Sequence, residues 1–167
     1  MGEDLISESN AILLYLCETL NWDDVYPLAP GKARERAEVQ KWLHWFHLNT
    51  RQFSGAYFLP ALAPHLKVET QERRKGCVAT AKFMDEHLAQ NKFLAVGFQQ
   101  PTLADFVAFA DVGQCEDLDI FDFAPYPNLR RWMRDMRALK GYAESHQVLT
   151  GLKAIVDRNK RAGTAKL

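Results

Sequence analysis

The sequence lacks an excess of charge of either sign, because 21 Lys and Arg residues are balanced by 21 Asp and Glu residues. A neutral chain gives no reason to expect nucleic acid or an acidic membrane surface as a partner, since both favour a basic surface. The sequence also has no apolar run of the ~20 residues that cross a bilayer. Its first residues lack the basic stretch and apolar run of a signal peptide. We therefore expect a cytoplasmic protein without a nucleic-acid or membrane partner.

Cysteine is scarce, and its three positions, Cys17, Cys77 and Cys115, form no C-x-x-C pair. An odd number of widely spaced cysteines argues against both a disulfide framework and a zinc ribbon. His44 and His47 are three residues apart on a predicted helix, but no third ligand has a suitable spacing. We therefore expect a solvated polar face there and no metal site.

Patterns typical of β-strands are also scarce, whereas apolar residues at helical spacing recur in six stretches. These stretches run over residues 12–20, 39–53, 77–88, 103–110, 129–136 and 142–156. In the second stretch the pattern predicts one helix from Val39 to Phe53, and in the fourth it predicts a buried face of Leu103, Phe106, Val107 and Ala110. A Pro-rich segment follows the first stretch and interrupts the pattern. The sequence thus predicts an all-α helical bundle, preceded by one helix across a linker.

Two polar stretches carry no predicted structural role. The acidic residues Asp111, Glu116, Asp117, Asp119 and Asp122 lack the Gly and the terminal Glu of a calcium loop, so a solvated connection is predicted there. Residues 158–167 are polar, and we expect a mobile tail. The tail ends in Ala165-Lys166-Leu167, which resembles the small–basic–Leu signal for import into peroxisomes.

A capping box is predicted at the start of the fourth helical stretch. Thr102 can cap a helix by accepting a hydrogen bond from a backbone N–H three residues on, and Asp105 can reach back to the Thr102 N–H. The negative charge of Asp105 would also lie at the positive end of the helix dipole. Taken alone, this box implies only a well-started, buried helix.

The segment Ser7-Glu8-Ser9-Asn10-Ala11-Ile12 opens the first predicted helix. A helix N-terminus presents free N–H groups and a partial positive charge, which suit a carboxylate. The Ser9 hydroxyl could bind that carboxylate and the Glu8 side chain could pair with an ammonium, so that together they would hold an α-amino-acid head group. Plain N-capping explains the same residues, and from physical chemistry alone both interpretations stay open.

These two signatures together resemble the cytosolic glutathione transferase superfamily. Glu8-Ser9-Asn10-Ala11-Ile12 matches the E-S-x-A-I segment of that family, and Thr102 to Phe106 is similar to its T-x-A-D-[FI] signature. Tyr126-Pro127-Asn128 to Trp132 and Leu139 to Tyr142 resemble two later motifs of the family. The similarity extends from about Leu5 to Val156 and is theta-like or like the transferase-type domain of elongation factor 1 gamma.

The resemblance implies a domain plan and a set of site residues. Residues 1–22 would be the last helix of a truncated thioredoxin-like domain, 23–31 a linker, 32–157 the helical C-terminal domain and 158–167 the tail. Glu8 and Ser9 would hold the γ-glutamyl end of glutathione. Trp45, Leu48 and Arg51 would line the pocket for the electrophilic co-substrate, where Arg51 could attract an acidic group.

The resemblance also implies a function, namely conjugation or reduction of small electrophiles with glutathione, which is a co-substrate and not a cofactor. The family's thiol-activating residue lies in the thioredoxin-like domain, so no catalytic residue is assigned, and we expect weak or no activity from this chain. The alternative is a non-catalytic protein-interaction module of the kind found in translation-factor and synthetase complexes. We expect either self-association, as a homodimer, or a protein partner.

Overall fold

The computed structural model describes residues 5–66 and 68–163, and within those ranges every regular element is helical, which confirms the predicted all-α class. The α-helices are α1 (Ser9–Thr19), α2 (Ala33–Trp45), α3 (Arg51–Phe53), α4 (Leu59–Leu62), α5 (Gln71–Leu88), α6 (Leu103–Asp117), α7 (Pro127–Arg137), α8 (Tyr142–Ser145) and α9 (Gln147–Arg161). Short 3-10 turns cover Phe46–Leu48 and Pro64–Leu66, and a π-helical turn covers Ser54–Phe58.

Helix α6 is the centre of the bundle, and α2, α3, α7 and α9 pack around it. Ten of its residues are buried, namely Leu103, Ala104, Asp105, Val107, Ala108, Phe109, Asp111, Val112, Gly113 and Cys115. The predicted buried face was therefore wrong in part, because Phe106 is 42% exposed and Ala110 is exposed as well. A helix that is buried on most of its sides has no single apolar stripe, so periodicity does not identify its open side.

The predicted helix from Val39 to Phe53 is interrupted. Its apolar residues are buried as expected, but α2 ends at Trp45, and Asn49 leaves the helical region with φ −125° and ψ −90°. The Asn49 side-chain amide donates to the Trp45 carbonyl at 2.7 Å and so replaces a backbone donor. This break redirects the chain into α3 and the π-helical turn, which pack against α6.

Helix α1 and the segment after it are anchored to the bundle. Cys17 on α1 is buried, and the Asn10 side-chain amide donates to the Leu43 carbonyl at the end of α2 at 2.8 Å. The Val25 carbonyl accepts a hydrogen bond of 2.9 Å from the Leu103 N–H at the start of α6. These contacts fix the N-terminal end of α1 close to α6. The boundaries that the sequence suggested at residues 22 and 31 stay predictions.

The C-terminal prediction needs correction, because residues 158–161 do not form a tail but continue α9. The Asn159 side-chain amide donates to the Ala61 and Leu62 carbonyls of α4 at 2.9 and 3.2 Å, which docks the last turns of α9 on the bundle. The polar composition of residues 158–167 suggested a mobile segment. Instead, the Asn159 amide donates to carbonyls at the end of α4 that have no partner within that helix. The peroxisomal-type signal, residues 165–167, lies outside the described residues.

The predicted solvated connection is correct only for the end of the acidic stretch, because α6 continues through Glu116 to Asp117, whereas Asp119 and Asp122 lie exposed in the segment between α6 and α7. The Asp117 carboxylate accepts hydrogen bonds from the Arg137 guanidinium at 2.6 and 3.0 Å and from the Tyr142 hydroxyl at 2.7 Å. Glu116 forms an ion pair with Arg137 at 2.5 Å. Glu116 and Asp117 therefore join the end of α6 to α7 and α8. Asp111, by contrast, lies in the buried middle of α6.

Candidate functional site

The predicted capping box at the start of α6 is confirmed. Asp105 Oδ2 accepts hydrogen bonds from the Thr102 N–H at 2.8 Å and from the Thr102 hydroxyl at 3.0 Å. Its other oxygen, Oδ1, accepts the Leu94 N–H and the Trp132 indole N–H, each at 2.9 Å. One buried carboxylate thus holds together the start of α6, the loop after α5 and the middle of α7.

The Asp105 carboxylate is completely buried, and this burial raises its pKa above the ordinary value. The four hydrogen bonds oppose the rise, because they stabilise the ionised form. The position at the positive end of the α6 dipole acts in the same direction. Asp105 is therefore a structural group that fixes the N-terminal end of α6, which in turn borders the groove described below.

The N-terminus of α1 is exposed, and Glu8 is its N-cap residue. No side chain of the described residues caps the helix, so the first N–H groups of α1 have no side-chain acceptor. Glu8 has φ 69° and ψ 117°, a backbone conformation that is rare for a residue with a side chain. Such strain costs on the order of 1–3 kcal/mol and clusters at ligand-binding sites. An uncapped helix end can bind an anionic group, and the Glu8 carboxylate beside it can bind a cationic one.

A groove of about 310 Å³ runs between α1, the turn after α2 and α6, and we call it the α1–α6 groove. Its walls are mostly apolar. They are formed by Ser9, Asn10, Leu13, Phe46, Arg51, Leu103, Phe106, Val107, Ala110 and Asp111. The two α6 residues that were wrongly expected in the core therefore face this groove. Of the residues predicted to bind ligand, the structure brings Ser9 and Arg51 together at the groove.

Trp45 and Leu48, which were also predicted to line the electrophile pocket, lie elsewhere. The Trp45 ring packs against Trp42 and against Phe83 of α5, with ring centroids 5.1 and 5.4 Å apart. Leu48 is 79% exposed and does not border the groove. The break after Trp45 places the three predicted residues in different elements, since Trp45 ends α2, Leu48 ends the 3-10 turn and Arg51 begins α3. The role of Arg51 in binding an electrophile stays a prediction.

The polar group that sequence analysis missed is Asp111, whose side chain is 3% exposed. Arg51 Nη1 lies 3.4 Å from Asp111 Oδ1, and the Ser54 hydroxyl donates to the same oxygen. Ser54 in turn accepts a hydrogen bond from the Gln114 side chain at 2.9 Å. Burial raises the pKa of Asp111, while Ser54 and Arg51 oppose the rise. The signal in the sequence was the position of Asp111 directly after the apolar residues 106–110 of α6. Grouping Asp111 with the later acidic residues hid this signal.

The cysteines are not candidates for a nucleophile in this structure. All three are free and buried. Burial raises the pKa of Cys77 to about 12 and also raises the pKa values of Cys17 and Cys115, which disfavours the reactive thiolate. Over residues 5–66 and 68–163, no group of three or more His, Cys, Asp or Glu side chains is arranged to hold a metal ion. In the same ranges, no helix has the length and apolarity needed to cross a membrane.

Comparison with known proteins gives a consistent result. Residues 67–135 match the family model described as glutathione S-transferase, C-terminal domain. Over 92% of its length the chain is 26% identical to glutathione S-transferase theta-1 of Gallus gallus, and over 90% it is 30% identical to theta-2B of Homo sapiens. The fold is similar to that of a delta-class glutathione transferase of Nilaparvata lugens, with a TM-score of 0.76 and 24% identity, over 95% of this chain and 72% of that one.

The similarity covers only part of the curated relatives. The chain spans 62% of the theta-1 protein and 64% of the theta-2B protein. The matched family model lies wholly within the helical bundle and includes both residues of the capping box.

Proposed function

We propose that this glutathione S-transferase-like chain binds glutathione and a small electrophile at the α1–α6 groove. Its helical bundle has the fold of that family's C-terminal domain. The observation that carries the proposal is the exposed, uncapped N-terminus of α1 at the edge of an apolar groove. Glutathione brings an amino-acid head group and a thiol, and an electrophile brings an apolar body. The groove offers partners for both.

The proposed roles of Glu8 and Ser9 follow from the end of α1. The carboxylate of the γ-glutamyl group accepts hydrogen bonds from the Ser9 hydroxyl and the first N–H groups of the helix. The Glu8 carboxylate, exposed beside them, pairs with the γ-glutamyl ammonium. The strained backbone of Glu8 supports this assignment, since strain is retained where it positions a functional side chain.

The proposed chemistry is conjugation or reduction of electrophiles, with the glutathione thiolate as the nucleophile. Ser9 is assigned to the γ-glutamyl end, and no described residue is assigned to the sulfur. We therefore expect little or no turnover by the 167-residue chain. A conjugation assay with 1-chloro-2,4-dinitrobenzene checks this, and turnover well above the uncatalysed rate would refute it.

Binding itself is tested by calorimetric titration of the chain with glutathione and, in parallel, with cysteinylglycine, which lacks the γ-glutamyl group. We expect glutathione to bind more tightly than the dipeptide. Ser9→Ala should weaken glutathione binding by roughly tenfold to a hundredfold, because it removes one hydrogen bond to a charged group. Ser145→Ala removes a hydroxyl on α8, away from the groove, and serves as the matched control. Equal affinity for the two peptides would contradict the proposed role of the helix end.

A second candidate function is a protein-interaction module, and one observation favours it. Large apolar side chains are exposed in and beside α1, namely Leu5, Ile6, Ile12, Tyr15, Leu20 and Trp22. Clustered apolar exposure marks a contact surface for another protein, for a second copy of this chain or for a thioredoxin-like domain. Light scattering over a range of concentrations tests self-association. If the chain is a monomer, does not bind glutathione and still binds a protein partner, the result favours the protein-interaction function over the transferase function.

The proposed location is the cytoplasm, with peroxisomal import through residues 165–167 as a further proposal. Fusing residues 158–167 to a fluorescent protein tests the address directly. A punctate signal that disappears when Leu167 is deleted supports peroxisomal import, whereas a diffuse signal from the intact fusion contradicts it.

A further inference from the structure

Asp111 presents an unusual acceptor at the α1–α6 groove. The residue borders the groove, yet its side chain is only 3% exposed. Both donors that reach it, from Ser54 and Arg51, contact Oδ1. The other oxygen, Oδ2, is buried and accepts no hydrogen bond from any described residue. An unsatisfied buried carboxylate oxygen is costly, and in native proteins such a group usually has a functional reason.

The two donors on Oδ1 differ in how firmly they are held. Ser54 opens the π-helical turn and is fixed by the Gln114 side chain at 2.9 Å. Arg51 has a side chain that is 62% exposed, and its 3.4 Å contact is long for a hydrogen bond. The Arg51 guanidinium can therefore turn away and leave the carboxylate to a ligand, whereas Ser54 stays in place. A π-helical turn beside this carboxylate fits the frequent occurrence of such turns at functional sites.

The surroundings of Asp111 limit what kind of ligand could use it. The groove walls beside it are formed by Phe46, Phe106, Val107 and Ala110, which suit an apolar body. Within such walls, a charged acceptor interacts more strongly with a donor than it does in water. Asp111 compensates the positive charge of Arg51. The electrostatic attraction between Arg51 and an acidic ligand is therefore weaker than the sequence alone suggests.

We infer that Asp111 is a specificity-determining residue, which selects electrophilic co-substrates that carry a protonated amine on an apolar body. The amine donates to the carboxylate, while the apolar body lies along α6. This inference rests on the proposed function of the groove as the electrophile site. The hypothesis that Arg51 attracts an acidic group leads to the opposite preference, so one set of probes separates the two.

The test uses three naphthalene probes of similar shape and different charge, namely 2-(aminomethyl)naphthalene, 2-methylnaphthalene and 2-naphthoate. Their dissociation constants for the full chain are measured by ligand-observed NMR at neutral pH. The variants are Asp111→Asn, which keeps the shape of the side chain, and Arg51→Ala. The control is Asp157→Asn, which removes an equivalent charge on α9 that does not border the groove.

We expect the wild-type chain to bind the ammonium probe roughly tenfold more tightly than the methyl probe. This factor corresponds to the low end of the free energy of one hydrogen bond to a charged group. Asp111→Asn should abolish this difference, and Asp157→Asn should leave it unchanged. Arg51→Ala should keep or increase the preference, because it frees the carboxylate. This second variant decides the question if Asp111→Asn does not fold.

The results that would overturn the inference differ from those that would overturn the proposed function. Equal binding of the ammonium and methyl probes, tightest binding of 2-naphthoate, or a preference that survives Asp111→Asn overturns the role of Asp111 and leaves the groove as a binding site. Loss of the ammonium preference in Arg51→Ala also overturns it. Failure of all three probes to bind overturns both proposals.

Discussion

Replacing Asp105 with Ala should destabilise the bundle strongly, because this one carboxylate satisfies donors from three separate parts of the chain. It accepts the Thr102 N–H and hydroxyl, the Leu94 N–H and the Trp132 indole N–H, all within 3.0 Å. Loss of an N-terminal cap costs about 1 kcal/mol. Each of the two remaining buried donors left without an acceptor costs about 1–3 kcal/mol.

Removing the carboxylate also relieves the cost of burying a charge, which is visible in the raised pKa of Asp105. We therefore expect a loss of about 3–5 kcal/mol in the free energy of unfolding for Asp105→Ala. Asp105→Asn keeps the shape and one acceptor oxygen but turns an N–H₂ group toward the Thr102 N–H. It should cost less, about 1–3 kcal/mol.

The measurement is urea unfolding followed by circular dichroism and by tryptophan fluorescence, with Asp157→Asn as the surface control. The midpoint should fall in the order control, Asn variant, Ala variant, with an unchanged slope, since the surface exposed on unfolding stays the same. The free energy of unfolding could instead fall by less than about 1 kcal/mol in Asp105→Ala, which is close to the effect of an ordinary surface substitution. That result would refute the idea that Asp105 joins α6, α7 and the loop after α5.

Three further predictions concern Asp111, the cysteines and Asn159. The pKa of Asp111 is raised in the folded chain, so its contribution to stability is present below the unfolded pKa of about 3.9 and is lost as the pH rises through the folded pKa. The difference in unfolding free energy between wild type and Asp111→Asn should therefore decrease from acidic to neutral pH. An increase would contradict the raised pKa of Asp111. A thiol reagent should react slowly with the native chain and fully after denaturation, because all three cysteines are buried; rapid native labelling would show otherwise. Asn159→Ala should lower stability by about 1–3 kcal/mol and speed hydrogen exchange in α9, since two α4 carbonyls lose their donor; unchanged exchange in α9 would count against its docking through this side chain.

Local features were predictable from the sequence. Thr102 and Asp105 are three residues apart, so their capping box follows from helix geometry alone. The all-α class follows from apolar spacing within each stretch. The exposed start of α1 at Ser9 also lies where the sequence placed it.

Features that depend on distant partners were not predictable. Nothing near Asp105 in the sequence indicates Trp132, which is 27 residues away. The break after Trp45 depends on the side chain of Asn49, which has no distinctive spacing. Asp111 looked solvated beside other acids because its burial arises in the packed bundle, where α3 and the π-helical turn lie against α6.

The most direct test of glutathione binding at the end of α1 is a chemical-shift titration of the isotopically labelled chain with glutathione, recorded on the backbone amides. The expected result is saturable shifts at Ser9 and Asn10, joined by shifts along the groove at residues such as Leu103 and Phe106. Shifts confined to other parts of the bundle, or no saturable shifts at Ser9 and Asn10 at any attainable concentration of glutathione, would contradict it.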